Sequence, residues 1–166
     1  MTDTVIEPAR KADMGDCARI LMDIYNNNVL NEGWTIKSAT TLCEYHFAHQ
    51  PDLFFVVKRA GEIVGFTFSY IKPWADGNHL CVEEIAVEKS ARAGGTAQEL
   101  VTELVRVAMN KYQIAKVDGT TFEDETGMPF KIYKWLGFTR VDDLFLVECD
   151  AQKLATKLGI DNTNRA

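Results

Sequence analysis

The feature that most constrains this chain is a strand pattern that passes through a turn of small residues into a long amphipathic helix. Residues 80–87 are apolar enough for a buried strand, and two consecutive glycines, Gly94 and Gly95, follow a few residues later. Over residues 96–112, apolar side chains return at helical spacing and define one stripe. Because another strand pattern follows at residues 115–122, this strand–helix–strand unit predicts a sheet with helices packed on it.

The rest of the chain alternates in the same way between strand and helix periodicities. The sequence predicts an α/β (α+β) fold, with a mixed, mostly antiparallel sheet of about six to seven strands and helices on both faces. One domain is expected over residues 1–150, and residues 151–166 are expected to form a short helix and a polar tail. The other predicted strands cover residues 5–10, 53–57, 63–71, 138–141 and 144–149, and the other predicted helices cover residues 13–26, 38–49 and 129–136.

Composition and charge argue against several classes of protein. The 166 residues include 46% hydrophobic and 25% charged residues, as in ordinary globular proteins, and no apolar run reaches the ~20 residues of a membrane span. The net charge is −6 and the basic residues form no cluster, which argues against a nucleic-acid or anionic-membrane partner. The four cysteines are scattered without ligand-like spacing and no signal peptide is evident, so we expect a cytoplasmic protein without a metal site.

The turn before the long helix is a candidate anion site. The first N–H groups of a helix have no partner within the helix, and the helix dipole makes this end positive. Gly94, Gly95 and Ala97 allow a ligand to approach the backbone, and Arg92 adds a positive charge. A pyrophosphate would fit this arrangement. On spacing alone, a tight turn without a ligand is an equally good interpretation.

Two motifs in this sequence resemble those of a known superfamily. The pattern Arg92-x-x-Gly95-x-Ala97 resembles the Arg/Gln-x-x-Gly-x-Gly/Ala signature of the GNAT superfamily of N-acetyltransferases, and it lies in the expected place between a strand and a long helix. Residues 133–138, Tyr-Lys-Trp-Leu-Gly-Phe, are similar to the Tyr-x-x-x-Gly-Phe motif of the same superfamily. The resemblance extends over residues 5–149 and implies a GNAT-like fold.

The resemblance implies that acetyl-CoA is the co-substrate and gives each matching position a role. Amides of the loop would hold the pyrophosphate, and backbone groups of the preceding strand would pair with the pantetheine arm. Tyr133 would lie near the thioester sulfur as a general acid; without the resemblance it would be interpreted as a half-buried helix aromatic. The cofactor-binding residues expected on this basis are Ile85, Ala86, Val87, Arg92, Ala93, Gly94, Gly95, Thr96 and Ala97.

The region before the loop is similar to that of the diamine (spermidine/spermine-type) acetyltransferases, on the basis of residues 70–74, which end in Pro-Trp, and of Glu83-Glu84. This resemblance implies that Glu83 is the general base, acting through water, and that the acceptor is a small cationic amine. An alkylammonium with a pKa near ~10.4 must lose a proton before it attacks, and a carboxylate can accept that proton. Glu84 and Trp74 are expected to contact the substrate. A solvated carboxylate pair and a tryptophan packed under its loop are the alternative interpretations.

The sequence also departs from the superfamily pattern. Ala93 stands where glycine is usual, Thr96 replaces an aliphatic residue, and Thr126 replaces an asparagine often found seven residues before the tyrosine. These changes leave open a non-catalytic acyl-CoA-binding or assembly protein of the same fold. The acceptor also stays open among a polyamine, another small amine, an aminoglycoside and a protein or peptide amine. A homodimer is expected only because dimers are common in the superfamily.

Overall fold

Five strands form one sheet in the computed structural model, which describes residues 4–27, 31–92, 94–121, 128–144 and 146–159. The strands lie side by side in chain order, β1 to β4 pairing antiparallel and β5 pairing with β4 in parallel. The predicted mixed, mostly antiparallel sheet is therefore confirmed. The strands are β1 (Thr4–Pro8), β2 (Phe54–Arg59), β3 (Glu62–Trp74), β4 (Gly77–Val87) and β5 (Ile114–Gly119).

Helices cover both faces of the sheet, as the sequence predicts. α1 (Met14–Asn26) and α2 (Ile36–His49) pack on one face, and α3 (Thr96–Tyr112) packs on the other. The apolar stripe predicted for the long helix is the stripe that it buries. The first face buries Phe54, Phe66, Phe68 and Ala86 with Cys17, Leu21 and Cys43, and the second buries Phe55, Leu80 and Val87 with Leu100, Leu104 and Ala108.

Contacts divide the chain into two compact units, Met1–Asp124 and Glu125–Ala166. The second unit contains α4 (Met128–Trp135), followed by Gly137 with a φ of +92°, and α5 (Ala151–Lys157). The single domain over residues 1–150 stays a prediction. In the part of the chain that the structure describes, no helix is both long and apolar enough to cross a membrane.

The number of strands is the part of the predicted fold that is wrong. Residues 138–141 and 144–149 are predicted to form a hairpin that completes the sheet, but none of the residues that the structure describes in these ranges adopts a strand. Four of the apolar side chains there, Val141, Leu144, Leu146 and Val147, are exposed, Leu144 by 76% and Leu146 by 85%. A strand needs a partner for its backbone N–H and C=O groups, and within the described residues no neighbouring strand supplies one.

A β-bulge interrupts β4 at Glu83, three residues before the buried end of the strand at Ala86 and Val87. Phe68 of β3 pairs with Glu84 and Ser69 pairs with Val82, so Glu83 is the extra residue. Leu80 and Val82 therefore belong to the α3 face, whereas Ala86, an even number of residues further on, packs on the α1/α2 face. Glu84 shares the face of its partner Phe68, because directly opposed strand residues point the same way. The bulge thus decides which carboxylate faces α1.

The tip of the β3–β4 hairpin is attached to β5 by a histidine between two carboxylates. Nδ1 of His79 lies 2.7 Å from Asp118, and Nε2 lies 2.7 Å from Asp76. A neutral imidazole has one N–H, so both contacts are hydrogen bonds only when the ring is protonated. Hydrogen bonds to Asp118 and to Asp76 accordingly raise the pKa of His79. This contact lies in the paired part of β4, away from the loop that follows the strand.

Candidate functional site

The second half of β4 has an open backbone edge. The parallel pairing of β4 with β5 ends at Val82 and Gly119, whereas pairing with β3 continues to Val87. Within the described residues, positions 83–87 therefore have a strand on one side only. Unpaired N–H and C=O groups of such an edge can pair with an extended ligand, as with an added strand. The predicted cofactor residues Ile85, Ala86 and Val87 belong to this stretch.

The loop after β4 is held in place by side-chain contacts to its own backbone. Nε of Arg92 donates to the carbonyl of Val87 at 3.0 Å, and Oγ1 of Thr96 donates to the carbonyl of Ala91 at 2.7 Å. Thr96 is fully buried. Arg92, the arginine predicted to bind phosphate, thus uses one of its donors on the end of β4. Thr96, which departs from the superfamily pattern, links the first residue of α3 to the preceding loop.

The start of α3 offers free amide groups. Gly95 is the N-cap residue with a φ of +84°, and no side chain caps the helix. A Cβ placed on Gly95 would meet nothing within 4 Å, so the space over this backbone is open. Gly94, with a φ of +109°, and Ala97 are also exposed, whereas Ala93 lies outside the described residues. The structure therefore presents the amides of the predicted anion site to the outside.

A second arginine, Arg59, which the sequence did not suggest, lies beside this loop. It ends β2, and its guanidinium contacts Oγ1 of Thr96. The guanidinium is also the nearest group to Gly94, 3.9 Å from the position of a Cβ built there. No local pattern marks this residue, because it is 37 positions away from Thr96 in the chain.

Glu84 is the half-buried carboxylate of the predicted pair, whereas Glu83 is exposed. Tyr25 of α1 donates its hydroxyl to Oε2 of Glu84 at 2.7 Å, and the N–H of Ile85 donates to Oε1 at 3.0 Å. Burial raises the pKa of Glu84 to about 7, against the opposing effect of these two hydrogen bonds. Repulsion from Glu83 and Glu32 raises it further. A carboxyl group with a pKa near 7 can exchange a proton at neutral pH.

Aromatic and acidic side chains from the connection between α1 and α2 adjoin Glu84. Asn26 fixes this connection, since its side chain both donates to and accepts from the backbone of Trp34, at 2.8 and 2.7 Å. The rings of Tyr25 and Trp34 lie 6.4 Å apart, and Nε1 of Trp34 donates to Glu32 at 2.7 Å. We call Tyr25, Glu32, Trp34, Glu83 and Glu84 the acidic–aromatic cluster.

Glu83, the predicted general base, is the exposed residue of the bulge. It lies next to Glu84 along β4, so it adds negative charge to the acidic–aromatic cluster. Its assigned role as the base stays a prediction. The contrast in burial between two adjacent glutamates could not be read from their sequence, because it follows from the bulge.

Within the first unit, Trp74 lies away from the unpaired half of β4. Trp74 is 58% exposed at the tip of the β3–β4 hairpin, where it pairs with Gly77 and lies 4.1 Å under the ammonium of Lys72. Tyr133 belongs to α4 of the second unit, and its ring packs edge-on against Phe138 at 5.3 Å. The predicted roles of Trp74 in acceptor binding and of Tyr133 as the acid stay predictions.

Space adjoins the loop on the α1 side of the sheet. A cavity of 540 Å³ is lined by α1 residues, Asn26 among them, and by residues 88–90. Across the described ranges, no group of three or more His, Cys, Asp or Glu side chains is arranged to hold a metal ion. The first unit therefore combines an open strand edge, an uncapped helix start, a cavity and a half-buried carboxylate with a raised pKa.

Comparison with known proteins identifies the class to which this arrangement belongs. The model of the acetyltransferase (GNAT) family matches residues 16–138, which is most of the chain. The chain therefore belongs to the acetyltransferase (GNAT) family. No curated protein sequence matches the chain significantly.

Solved structures share the fold at low sequence identity. A transcriptional regulator from Bacillus halodurans C-125 matches with a TM-score of 0.72 at 16% identity, covering 89% of this chain and 100% of its own. The aminoglycoside N-acetyltransferase AAC(6')-Iy in complex with CoA matches with a TM-score of 0.71 at 18% identity, covering 90% and 96%. A predicted acetyltransferase with acetyl-CoA from Clostridium acetobutylicum matches with a TM-score of 0.65 at 17% identity, covering 89% and 96%.

Proposed function

We propose that the chain is an acetyl-CoA-dependent N-acetyltransferase whose acceptor is a small cationic amine. The observation that carries the proposal is the carboxylate of Glu84, held between α1 and β4 where the open edge of β4 begins. Because burial raises the pKa of Glu84 to about 7, this group can accept a proton at neutral pH. Membership of the acetyltransferase family supports the reaction class.

The loop and the open edge support acetyl-CoA as the co-substrate. Residues 94–97 would hold the phosphates through the uncapped start of α3, since free helix amides and the helix dipole favour anions. Residues 83–87 would pair with the amide groups of the pantetheine arm. The CoA complexes among the structural neighbours are consistent with this proposal.

The acidic–aromatic cluster supports a cationic acceptor. The negative charges of Glu83 and Glu32 lie close enough to raise the pKa of Glu84, so a positive charge bound near these carboxylates would relieve repulsion. Aromatic rings such as those of Tyr25 and Trp34 also attract alkylammonium groups. The aminoglycoside specificity of one structural neighbour belongs to the same class of acceptor. A polyamine such as spermidine is the acceptor that the sequence resemblance favours.

The proposed chemistry is a transfer of the acetyl group from sulfur to nitrogen. The thioester supplies an electrophilic carbonyl carbon, and the neutral amine forms a C–N bond there as the C–S bond breaks. Glu84 accepts the proton that the ammonium must lose, because the ammonium pKa of ~10.4 keeps it charged at neutral pH. Tyr133 donates a proton to the departing thiolate, a role that rests on its motif. Glu83 attracts the cation to the exposed side of the bulge.

The first test is amine-dependent release of thiol from acetyl-CoA by the purified protein. The panel contains spermidine, putrescine, lysine, an aminoglycoside and a short peptide. We expect release with one class of cationic amine, and little with an uncharged analogue of similar size. No release with any amine, alongside tight binding of CoA by calorimetry, would replace this proposal with the non-catalytic acyl-CoA-binding alternative. A cytoplasmic location and a homodimer stay predictions of the sequence.

A further inference from the structure

Two neighbouring cationic side chains at the end of β2, those of Lys58 and Arg59, have partners of different charge. Lys58 points to the α1/α2 side, where its ammonium pairs with Glu7 at 2.7 Å and with Asp13 at 3.8 Å. Arg59 follows it and contacts the hydroxyl of Thr96 at the start of α3. In the part of the chain that is described, no carboxylate neutralises Arg59. A cation that is partly removed from water normally has an anionic partner.

The guanidinium of Arg59 also has an unsatisfied donor. Its Nε is buried and has no hydrogen-bond acceptor. An unpartnered buried N–H group is costly because it has lost its hydrogen bond to water, so such groups are rare in native proteins. The arginine of the loop motif differs, because Nε of Arg92 donates to the carbonyl of Val87. Of the two arginines, Arg59 is the one whose fork is not already bound to backbone.

We propose that Arg59 binds the diphosphate of coenzyme A together with the first amides of α3. The position follows from two contacts: the guanidinium touches Oγ1 of Thr96, and it is the nearest group over Gly94. Arginine presents donors in a planar fork that matches two phosphate oxygens. The inference rests on the proposed use of acetyl-CoA, and it assigns a phosphate contact to a strand end outside the loop motif.

Thr96 acts in this proposal as the residue that positions Arg59. Its hydroxyl donates to the carbonyl of Ala91, so its oxygen lone pairs are available to the guanidinium. An aliphatic residue at this position could not hold the arginine by a hydrogen bond. The departure of Thr96 from the superfamily pattern and the placement of Arg59 are therefore one feature of this chain.

The test is calorimetric binding of CoA and of 3'-dephospho-CoA to the wild-type protein and to Arg59→Gln. We expect the variant to bind both ligands about 10- to 100-fold more weakly, since a charge-assisted hydrogen-bonded pair is lost. Arg106→Gln is the matched control, because Arg106 is an exposed arginine of α3 that pairs with Glu103. This control should keep the affinity of the wild-type protein for both ligands.

Arg59→Lys keeps the positive charge but lacks the planar fork of donors. We expect this variant to lose affinity for both ligands by a smaller factor than Arg59→Gln. It tests the proposed contact if Arg59→Gln does not fold. Unchanged affinity in a folded Arg59 variant would overturn the inference while leaving the proposed function intact. A loss confined to CoA, with dephospho-CoA unaffected, would also overturn it, because it would assign Arg59 to the 3'-phosphate. If the wild-type protein binds neither ligand, the proposed function fails first and this site fails with it.

Discussion

The two ends of the open stretch of β4 carry opposite charge preferences and are built in different ways. At the end that leads into the loop, the groups are backbone amides of α3 and the guanidinium of Arg59. At the other end, the groups are the carboxylates and aromatic rings of the acidic–aromatic cluster. At ~3.3 Å per strand residue, positions 84 and 88 are separated by ~13 Å.

The difference shows how a short strand segment can place a site for an anionic ligand and a site for a cationic ligand at its two ends. Amides bind phosphate in the same way whatever side chains surround them, so the loop end depends on small residues and on backbone shape. The cluster end depends on side chains whose protonation is set by burial, as the pKa of Glu84 near 7 shows. Changes at the two ends should therefore alter different properties of the protein.

The largest expected effect is on turnover, at the cluster end. Glu84→Gln keeps the shape of the side chain but cannot accept a proton, and we expect kcat to fall about 10²- to 10⁴-fold, the usual contribution of a general base. The affinity for acetyl-CoA should stay unchanged, because the phosphates bind at the other end. Steady-state kinetics with the best amine, together with calorimetry, measure both quantities.

The neighbouring glutamate is the control for this prediction. Glu83→Gln removes the same charge from the exposed residue of the bulge, and we expect mainly a higher KM for the amine. The reverse order, with kcat lost in Glu83→Gln and retained in Glu84→Gln, would return the role of base to Glu83, as the sequence resemblance implies. The acid–base assignment would then belong to the exposed side of the bulge.

The next effect is on cofactor binding, at the loop end. Gly95→Val places a β-branched residue at a φ of +84° and covers the amides with a side chain. We expect CoA affinity to fall by about two orders of magnitude, comparable to losing charge-assisted hydrogen bonds. Gly159→Val is a matched control, because Gly159 also has a positive φ of +68° and open space around it. If both valine variants bind CoA as the wild-type protein does, the loop is only a tight turn.

The smallest effect concerns the tuning of Glu84. Tyr25→Phe removes the hydroxyl that donates to Oε2 of Glu84 at 2.7 Å, a hydrogen bond that favours the ionised carboxylate. Without it the pKa of Glu84 should rise, moving the midpoint of the pH profile of kcat/KM upward by up to ~1 pH unit. Activity would recover at higher pH, where the carboxylate is again ionised. Tyr45→Phe, an exposed tyrosine of α2, should leave the profile unchanged.

The loop end could be predicted from the sequence because its residues are contiguous. Arg92, Gly95 and Ala97 lie within six positions of one another, and a strand before them and a helix after them suffice to orient the amides. The strand–helix order and the sheet type follow from periodicity for the same reason. Local patterns carry this information without any knowledge of tertiary contacts.

The cluster end could not be predicted in the same way. Tyr25 and Glu84 are 59 residues apart, and their contact depends on how α1 packs on β4. The choice between Glu83 and Glu84 depends on a bulge that shifts the register by one residue. Arg59 depends on the meeting of β2 with the start of α3. The strands predicted at residues 138–141 and 144–149, which the described residues there do not form, have the same origin, because strand pairing is a long-range property.

The most direct test of the account is the amount of acetylated amine formed at saturating acetyl-CoA, measured by mass spectrometry for the wild-type protein, Glu84→Gln and Arg59→Gln. Saturating acetyl-CoA compensates for weak binding at the loop end, so it separates the two ends of β4. If Glu84 is the base and Arg59 contacts the phosphates, we expect abundant product from the wild-type protein, nearly as much from Arg59→Gln, and little from Glu84→Gln. Equal product from the wild-type protein and Glu84→Gln, or no product with any cationic amine, would contradict the account.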